Sequence, residues 1–424
     1  MRDTLSVENP TIQLLAVSFA FPPLAYPRSI QVARLLKYSS FSTVLICADE
    51  EGARRDPTLE ADAERSLKAV VRIPFSISRQ RKYANLFAHH VSQSLWNRWT
   101  QRPDRYKPWK TLALRAYEAF AKSNNYKPDV IATFSEPPTD HLIGLELKRR
   151  LNVPWLAHFS DPWVDNPFHC TDPETKKFNL AAEREVVNSA DCLIFTCQET
   201  MDLVMAKYPS GLRQKGRVLS QCFDAKLFRF APPDGSKLAI RHIGNFYGTR
   251  SPAPLFAALS LLIGLDAESL KDVTFQLVGT SEQSFSLPDA LPSGLVTTCG
   301  PVGYTQSLSL MASADALLVI DAPADVSVFL PSKLIDYLGA AKPILGFTPP
   351  GAAAKLIEQV GGWVADPSET ESGSSALKKL ITWLRTSRGE PWGDPEVRSQ
   401  YEAINVALRF ETFVKEILND KLAV

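Results

Sequence analysis

Along almost the whole chain, short apolar runs rich in Val, Ile and Leu alternate with longer segments of helical period, and that alternation leaves few folds open. Antiparallel strands can be joined by tight turns. Strands separated by helical segments instead pair in parallel, because the crossover helix carries the chain back to the same end of the sheet. Unbroken apolar runs mark strands buried on both faces, so helices are expected on both sides of each sheet.

A first set of strands is read at 13–19, 43–47, 70–73, 130–134, 155–158 and 192–196, with helices at 29–38, 109–123, 141–151 and 181–189. A second set follows Phe223: strands at 238–243, 274–278, 296–299, 316–320, 343–346 and 362–364, with helices at 253–263, 304–314, 333–341, 351–360 and 371–384. At 424 residues the chain exceeds one ordinary core, since domains hold about 100–200 residues each. The Pro-containing segment 224–236, with FRFAPPDGS at its heart, is the expected boundary. The reading is α/β: two doubly wound domains in tandem, 1–225 and 226–396, and a terminal helical segment, 397–424, that either packs back across both domains or caps the second. Ligands of open parallel sheets bind beyond the carboxyl ends of the strands, so two such domains facing one another define a cleft.

Composition removes several classes. Forty-seven basic residues balance 46 acidic ones, a formal charge of +1, so nothing global favours nucleic acid. Cys47, Cys170, Cys192, Cys197, Cys222 and Cys299 show neither metal-site nor disulfide spacing, which fits reduced, mostly buried thiols. The run IQLLAVSFAF follows Asp3 and Glu8 and ends on Pro22-Pro23, a first strand rather than a leader. The longest apolar run, PLFAALSLLIGL, is shorter than the roughly 18–20 residues a spanning helix needs, so no membrane crossing is expected.

Candidate chemistry gathers at strand ends. In PSKLIDYLGAAKPILGF, from Pro331, Ser332 is read as an N-cap and Lys333 opens the helix, where a cation opposes the macrodipole unless an anion is bound there. A solvated surface lysine is the plain alternative. RHIGNFYGTRSP adds Gly244 and Gly248, which allow close backbone approach, and Arg250, a permanent fork for phosphate oxygens. In the first half, HFSDPWVDNPF sets Ser160, Asp161 and Trp163 after a strand, FSEPPTDH sets Glu136 and Pro137 after another, and FPPLAYPRSIQVARLL sets Ser29 at a helix entrance. Each could merely cap a loop or end a strand.

Taken in order, FPP…RSIQVARLL, TFSEPPTDHLIGLELKRRLNVPWLAHFSDPW, RHIGNFYGTRSP, TFQLVGT, GPVGYTQSLSLMASADALLVID and PSKLIDYLGAAKPILGF closely resemble bacterial GT-B glycosyltransferases of the large retaining family that builds capsular, O-antigen and exopolysaccharide chains. The resemblance covers about 13–362. It implies a GT-B fold and transfer of a sugar from a nucleotide-diphosphate donor to a glycan or lipid-linked acceptor, with retention. It makes Arg250 and Lys333 the pair on the diphosphate and, with Asp161, the catalytic set. Ser29, Gly244, Ser332 and Leu334 then join the donor site, Val302 and Tyr304 lie near the base, and Asp336 is the second of two family acids, binding ribose. Glu136, Pro137, Ser160 and Trp163 line the acceptor side.

Two departures stand out. The first family acid falls at Val328, with Asp325 its nearest substitute, and the first loop, LAYPRS, has no glycine. A non-catalytic homologue that binds a nucleotide sugar or supports a partner enzyme is therefore the alternative.

Because the departing phosphate is thought to take the acceptor's proton in that family, no strong base is required, and no paired-carboxylate arrangement is evident. No D-x-D or histidine motif implies a metal, so the only cofactor-like partner expected is the nucleotide-sugar co-substrate. EADAE, from Glu60 to Glu64, reads as a solvated face. His158 and His242, at strand ends, read as cleft-lining or backbone-satisfied. Between Ser78 and Arg115, basic residues interleave with Tyr83, Phe87, Trp96, Trp99, Tyr106 and Trp109. The expected location is cytoplasmic, and that pattern suits either helices packed on the first domain or docking on the anionic inner face of the cytoplasmic membrane.

Overall fold

The computed structural model describes residues 11–59, 63–77, 102–168, 172–228 and 235–422. Residues 78–101 of the basic aromatic run, 60–62 of the acidic cluster, Cys170, and 229–234 of the expected linker lie outside the described residues.

The chain forms two compact units. The first takes in 1–195, 204–217 and 407–424; the second takes in 196–203 and 218–406. This division differs from the expected one because backbone pairing ties Phe223 to Tyr401 and Ala403, and Thr200 donates to the Val328 carbonyl at 2.6 Å, so these stretches pack with the second sheet.

The first unit is a seven-stranded sheet. Its strands are β1 (Gln13–Val17), β2 (Ser42–Glu50), β3 (Ala69–Phe75), β4 (Val130–Phe134), β5 (Trp155–Phe159), β6 (Cys192–Phe195) and β7 (Gly216–Val218), in the order β3-β2-β1-β4-β5-β6-β7. Registers from β1 to β6 are parallel, for example Leu14 opposite both Thr43 and Val130. β4 is buried from end to end, as its run VIATF anticipates. Helices Pro27–Tyr38, Lys107–Asn124, Thr139–Leu151 and Pro173–Ser189 connect the strands. The last of these starts earlier than periodicity indicates, because Asp172 accepts from the amides of Glu174 and Thr175 and Pro173 occupies the first helical position. The terminal helix Ala403–Leu422 packs into this unit: Phe410 lies against Phe41 and Phe134, and the Ser40 amide donates to Glu411 at 2.7 Å.

The second unit is a six-stranded, wholly parallel sheet of β8 (Leu238–Ile243), β9 (Val273–Val278), β10 (Val296–Cys299), β11 (Ala316–Ile320), β12 (Ile344–Phe347) and β13 (Trp363–Ala365), in the order β10-β9-β8-β11-β12-β13. Helix Ala253–Asp266, with its 3-10 extension Ala267–Leu270, is long and apolar enough to pass for a membrane span, longer than the run visible in the sequence. Leu255, Phe256, Leu259 and Leu262 are nonetheless buried in the core of this unit, against helix Thr370–Ser387.

In each sheet the strand order reverses beside the first strand of the unit, between β1 and β4 and between β8 and β11. Side chains at the carboxyl ends of those four strands therefore border the crevices where such sheets bind ligands.

Candidate active site

In the second unit that crevice is rich in cations. Helix Ser332–Ala340 begins one residue earlier than expected, and Ser332 is its first helical residue rather than its cap. Pro331 takes the cap position in extended backbone, without a side-chain hydrogen bond. Leu334 is fully buried in the hydrophobic core and its amide is bonded to the Pro331 carbonyl, so it offers a ligand neither side chain nor N–H. Lys333 does not point into solvent. Its ammonium folds back to 3.3 Å from His242 Nε2 on β8 and lies against Gly244, where a Cβ would stand 2.8 Å from Nζ. Burial first, and the neighbouring Arg250 guanidinium second, bring the Lys333 pKa down to about 7.

Arg250 is also tucked in. Its Nη2 donates to Asp321 Oδ1 at 2.6 Å, its Nη1 donates to the Tyr247 hydroxyl at 3.0 Å, and its guanidinium lies over the Tyr247 ring. The pair is sheltered, with 10% and 5% of the Arg250 and Asp321 side chains exposed. Thr348 donates to the other oxygen of Asp321 at 3.1 Å. Arg250 Nε is buried and has no hydrogen-bond partner among the described residues.

Close to this cluster, Gly279 has no room for a side chain, since its Cβ would meet the Gly244 carbonyl oxygen at 2.3 Å. The loop with Gly248, at φ +60°, leads to Arg250. Asp336 is largely buried and accepts from the Tyr304 hydroxyl at 3.4 Å, while Val302 and Tyr304 pack on the core beneath. At the first family acid, Val328 uses its carbonyl for Thr200 and Cys197, and Asp325 is exposed.

The first unit carries acids around one buried arginine. Helix Pro27–Tyr38 opens at Pro27, so Ser29 is inside it, fully buried, its hydroxyl without a hydrogen-bond partner among the described residues. The residue before it, Arg28, is the prominent group. Its Nη2 donates to His158 Nδ1 and to the His158 carbonyl, each at 3.0 Å, and its guanidinium lies over Phe134. An arginine can only donate, so His158 Nδ1 is bare and its proton sits on Nε2. Burial and Arg28 hold that ring neutral, well below the usual imidazole range.

Glu136 is raised well above the ordinary carboxylate range, first by burial and then by Asp161, with Asp104 contributing. These acids are neighbours, a carboxylate grouping not evident in the sequence because Glu136 and Asp161 follow different strands. Ser160 donates to Asp161 at 3.2 Å. Asp140, accepting from the Phe19 amide and from Trp109 Nε1, is pushed up to about 8 by burial. Pro137 and Trp163 are buried, and the Trp163 N–H has no hydrogen-bond partner among the described residues.

Residues 31–215 match the glycosyl transferase 4-like domain. The solved structure of Anabaena Alr3699/HepE in complex with UDP and glucose superposes with a TM-score of 0.63 at 15% identity, covering 96% of this chain and 100% of that one. A sucrose-phosphate synthase from Thermosynechococcus elongatus gives 0.60 at 14% identity, over 96% and 100%. The E. coli trehalose-6-phosphate structure bound with UDP-2-fluoro glucose gives 0.61 at 14%, over 96% and 99%. No curated protein matches the sequence.

The two doubly wound sheets are the GT-B fold. Over residues 31–215 this fold carries a domain that matches the glycosyl transferase 4-like model. Within it, the sheet of the first unit is the part that carries the glycosyl transferase 4-like domain.

Proposed function

We propose that this enzyme moves a sugar from a nucleotide-diphosphate donor to a glycan or lipid-linked acceptor in cell-surface polysaccharide assembly, with retention at the anomeric carbon. The observation that carries the reading is the convergence of Arg250 and Lys333 at the β8/β11 crevice, where Gly244 leaves room for the Lys333 ammonium to fold in against the backbone. HepE with UDP and glucose, and the E. coli structure with UDP-2-fluoro glucose, support a uridine nucleotide as the first donor to try.

Breaking the anomeric C–O bond leaves positive charge on the ring and negative charge on the departing diphosphate. Arg250 and Lys333 stabilise that second charge more in the transition state than in the ground state, and losing one such donor costs about 3 kcal/mol of barrier. The acceptor hydroxyl gives its proton to the leaving phosphate on the same face. Asp161 orients the acceptor or steadies the cationic ring, and Glu136, Ser160 and Trp163 complete the acceptor side. Asp336 takes the ribose hydroxyls, and no metal takes part. The basic aromatic run 78–115 keeps the enzyme on the inner face of the cytoplasmic membrane.

A panel of nucleotide sugars incubated with the purified protein, with Arg250→Ala and Lys333→Ala alongside, tests the reading. Sugar transfer or donor hydrolysis that falls about 100-fold in each variant supports it. Val328 at the first acid position favours a second reading, a non-catalytic nucleotide-sugar binder. Binding without any turnover across the panel would select that one.

A further inference from the structure

The cluster contains a group that the sugar-transfer reading leaves without a task. His242 is fully buried one residue before the end of β8, stacked at 4.6 Å and 14° on Phe246, with Nδ1 3.0 Å from the Leu318 carbonyl on β11. A carbonyl can only accept, so Nδ1 carries the ring proton and Nε2 presents a bare lone pair. The group 3.3 Å from that lone pair is the Lys333 ammonium, which can only donate.

We propose that His242 is the positioning residue for Lys333: its tautomer is fixed by the Leu318 carbonyl, and its Nε2 holds the ammonium over Gly244, aimed at the diphosphate. The inference deepens the proposed function and rests on it only for the identity of the anion. The other charged groups acting on Lys333 are Arg250, which repels it, and Asp321, whose two oxygens are already engaged by Arg250 and Thr348. A neutral acceptor suits the task because it fixes the direction of the cation without cancelling its charge. A carboxylate in the same place would compete with the ligand.

The test begins without any ligand. Lys333 is labelled with acetic anhydride across a pH series and its peptide quantified by mass spectrometry in the wild type, His242→Phe, His242→Gln and His242→Asn. Phe preserves the stack and removes the acceptor. Gln supplies an acceptor at the reach of Nε2, while Asn is too short to reach Lys333 but can still donate to Leu318. A hydrogen bond to an ammonium favours its charged form, so Phe and Asn should lower the labelling midpoint by about one pH unit and Gln should leave it within about 0.3.

Calorimetry with inorganic pyrophosphate then reads the consequence. His242→Phe should weaken binding about tenfold, add nothing on top of Lys333→Ala, and be rescued to within about threefold by Gln. An unmoved midpoint in both Phe and Asn, or additive losses in the double variant, overturns the proposal. Asn carries the test if Phe does not fold. If the midpoints move as stated and pyrophosphate binds none of the proteins, the positioning stands and the donor-site reading fails.

Discussion

Asp321 offers the sharpest test of the donor site. Its carboxylate is the counter-charge to Arg250 at 2.6 Å, in a place where only 5% of its side chain meets solvent. Asp321→Ala leaves a guanidinium facing Lys333 with the Tyr247 hydroxyl as its remaining charge-free partner. Breaking a sheltered pair from one side costs about 3 kcal/mol, and in a unit of this size that lowers the melting temperature by roughly 6–12 °C. A diphosphate at Arg250 replaces the lost carboxylate, so uridine diphosphate should bind the variant more tightly than the wild type, by about tenfold. Thermal denaturation with and without the nucleotide reads both effects, and Asp321→Asn, which keeps one of the two acceptor oxygens and removes the charge, should fall between. A variant that melts with the wild type, or that gains no more from nucleotide than the wild type does, would refute the argument.

Lys333 makes stability depend on pH. Its pKa is about 7 in the folded chain against 10.5 when unfolded, so between those values the unfolded state binds the extra proton and stability rises with pH. Lys333→Met should flatten that rise, read as denaturant midpoints between about pH 7 and pH 10. Gly244→Ala and Gly279→Ala both place a side chain at positive φ, +159° and +142°, and differ in what that side chain meets. The first meets the movable end of Lys333 and should weaken donor binding about tenfold in a folded protein; the second meets backbone oxygen and should lower the melting temperature by several degrees. Glu136 keeps its proton to higher pH folded than unfolded, so its contribution is present at low pH and fades as pH rises above the usual carboxylate value. Glu136→Gln should remove that fade, measurable as a smaller loss of stability between about pH 5 and pH 8.

Strands were the most legible part of the chain. β4, β8 and β11 have the bounds their apolar runs indicate, because a strand buried on both faces is written in contiguous residues, and the edge strand β10 has its expected bounds although three of its four residues are exposed. Helix starts at Pro27 and Pro173 were not, since a proline at the first turn carries no apolar period. The three residues of β7 were too few to register. At the site, a cation at a helix entrance is a local oddity, which is why Arg250 and Lys333 stood out. Asp321 lies 71 residues from Arg250, and His242 lies 91 from Lys333, so their roles exist only once β8, β11 and the helix meet. Arg28 shared its quoted stretch with Ser29, but its partner His158 is 130 residues away. A strand-terminal acid in LLVID was the one signal that could have pointed to Asp321.

The terminal helix has a practical consequence for dissecting the molecule. Because Phe410 sits between Phe41 and Phe134 while the chain between 218 and 406 belongs to the other body, no single cut releases the amino-terminal module intact. A truncated gene ending at 217 would produce a protein with two aromatic rings stripped of their cover, prone to clump. Supplying 403–422 as a separate peptide should restore its solubility, which turns the tail into a reporter for split-protein reassembly.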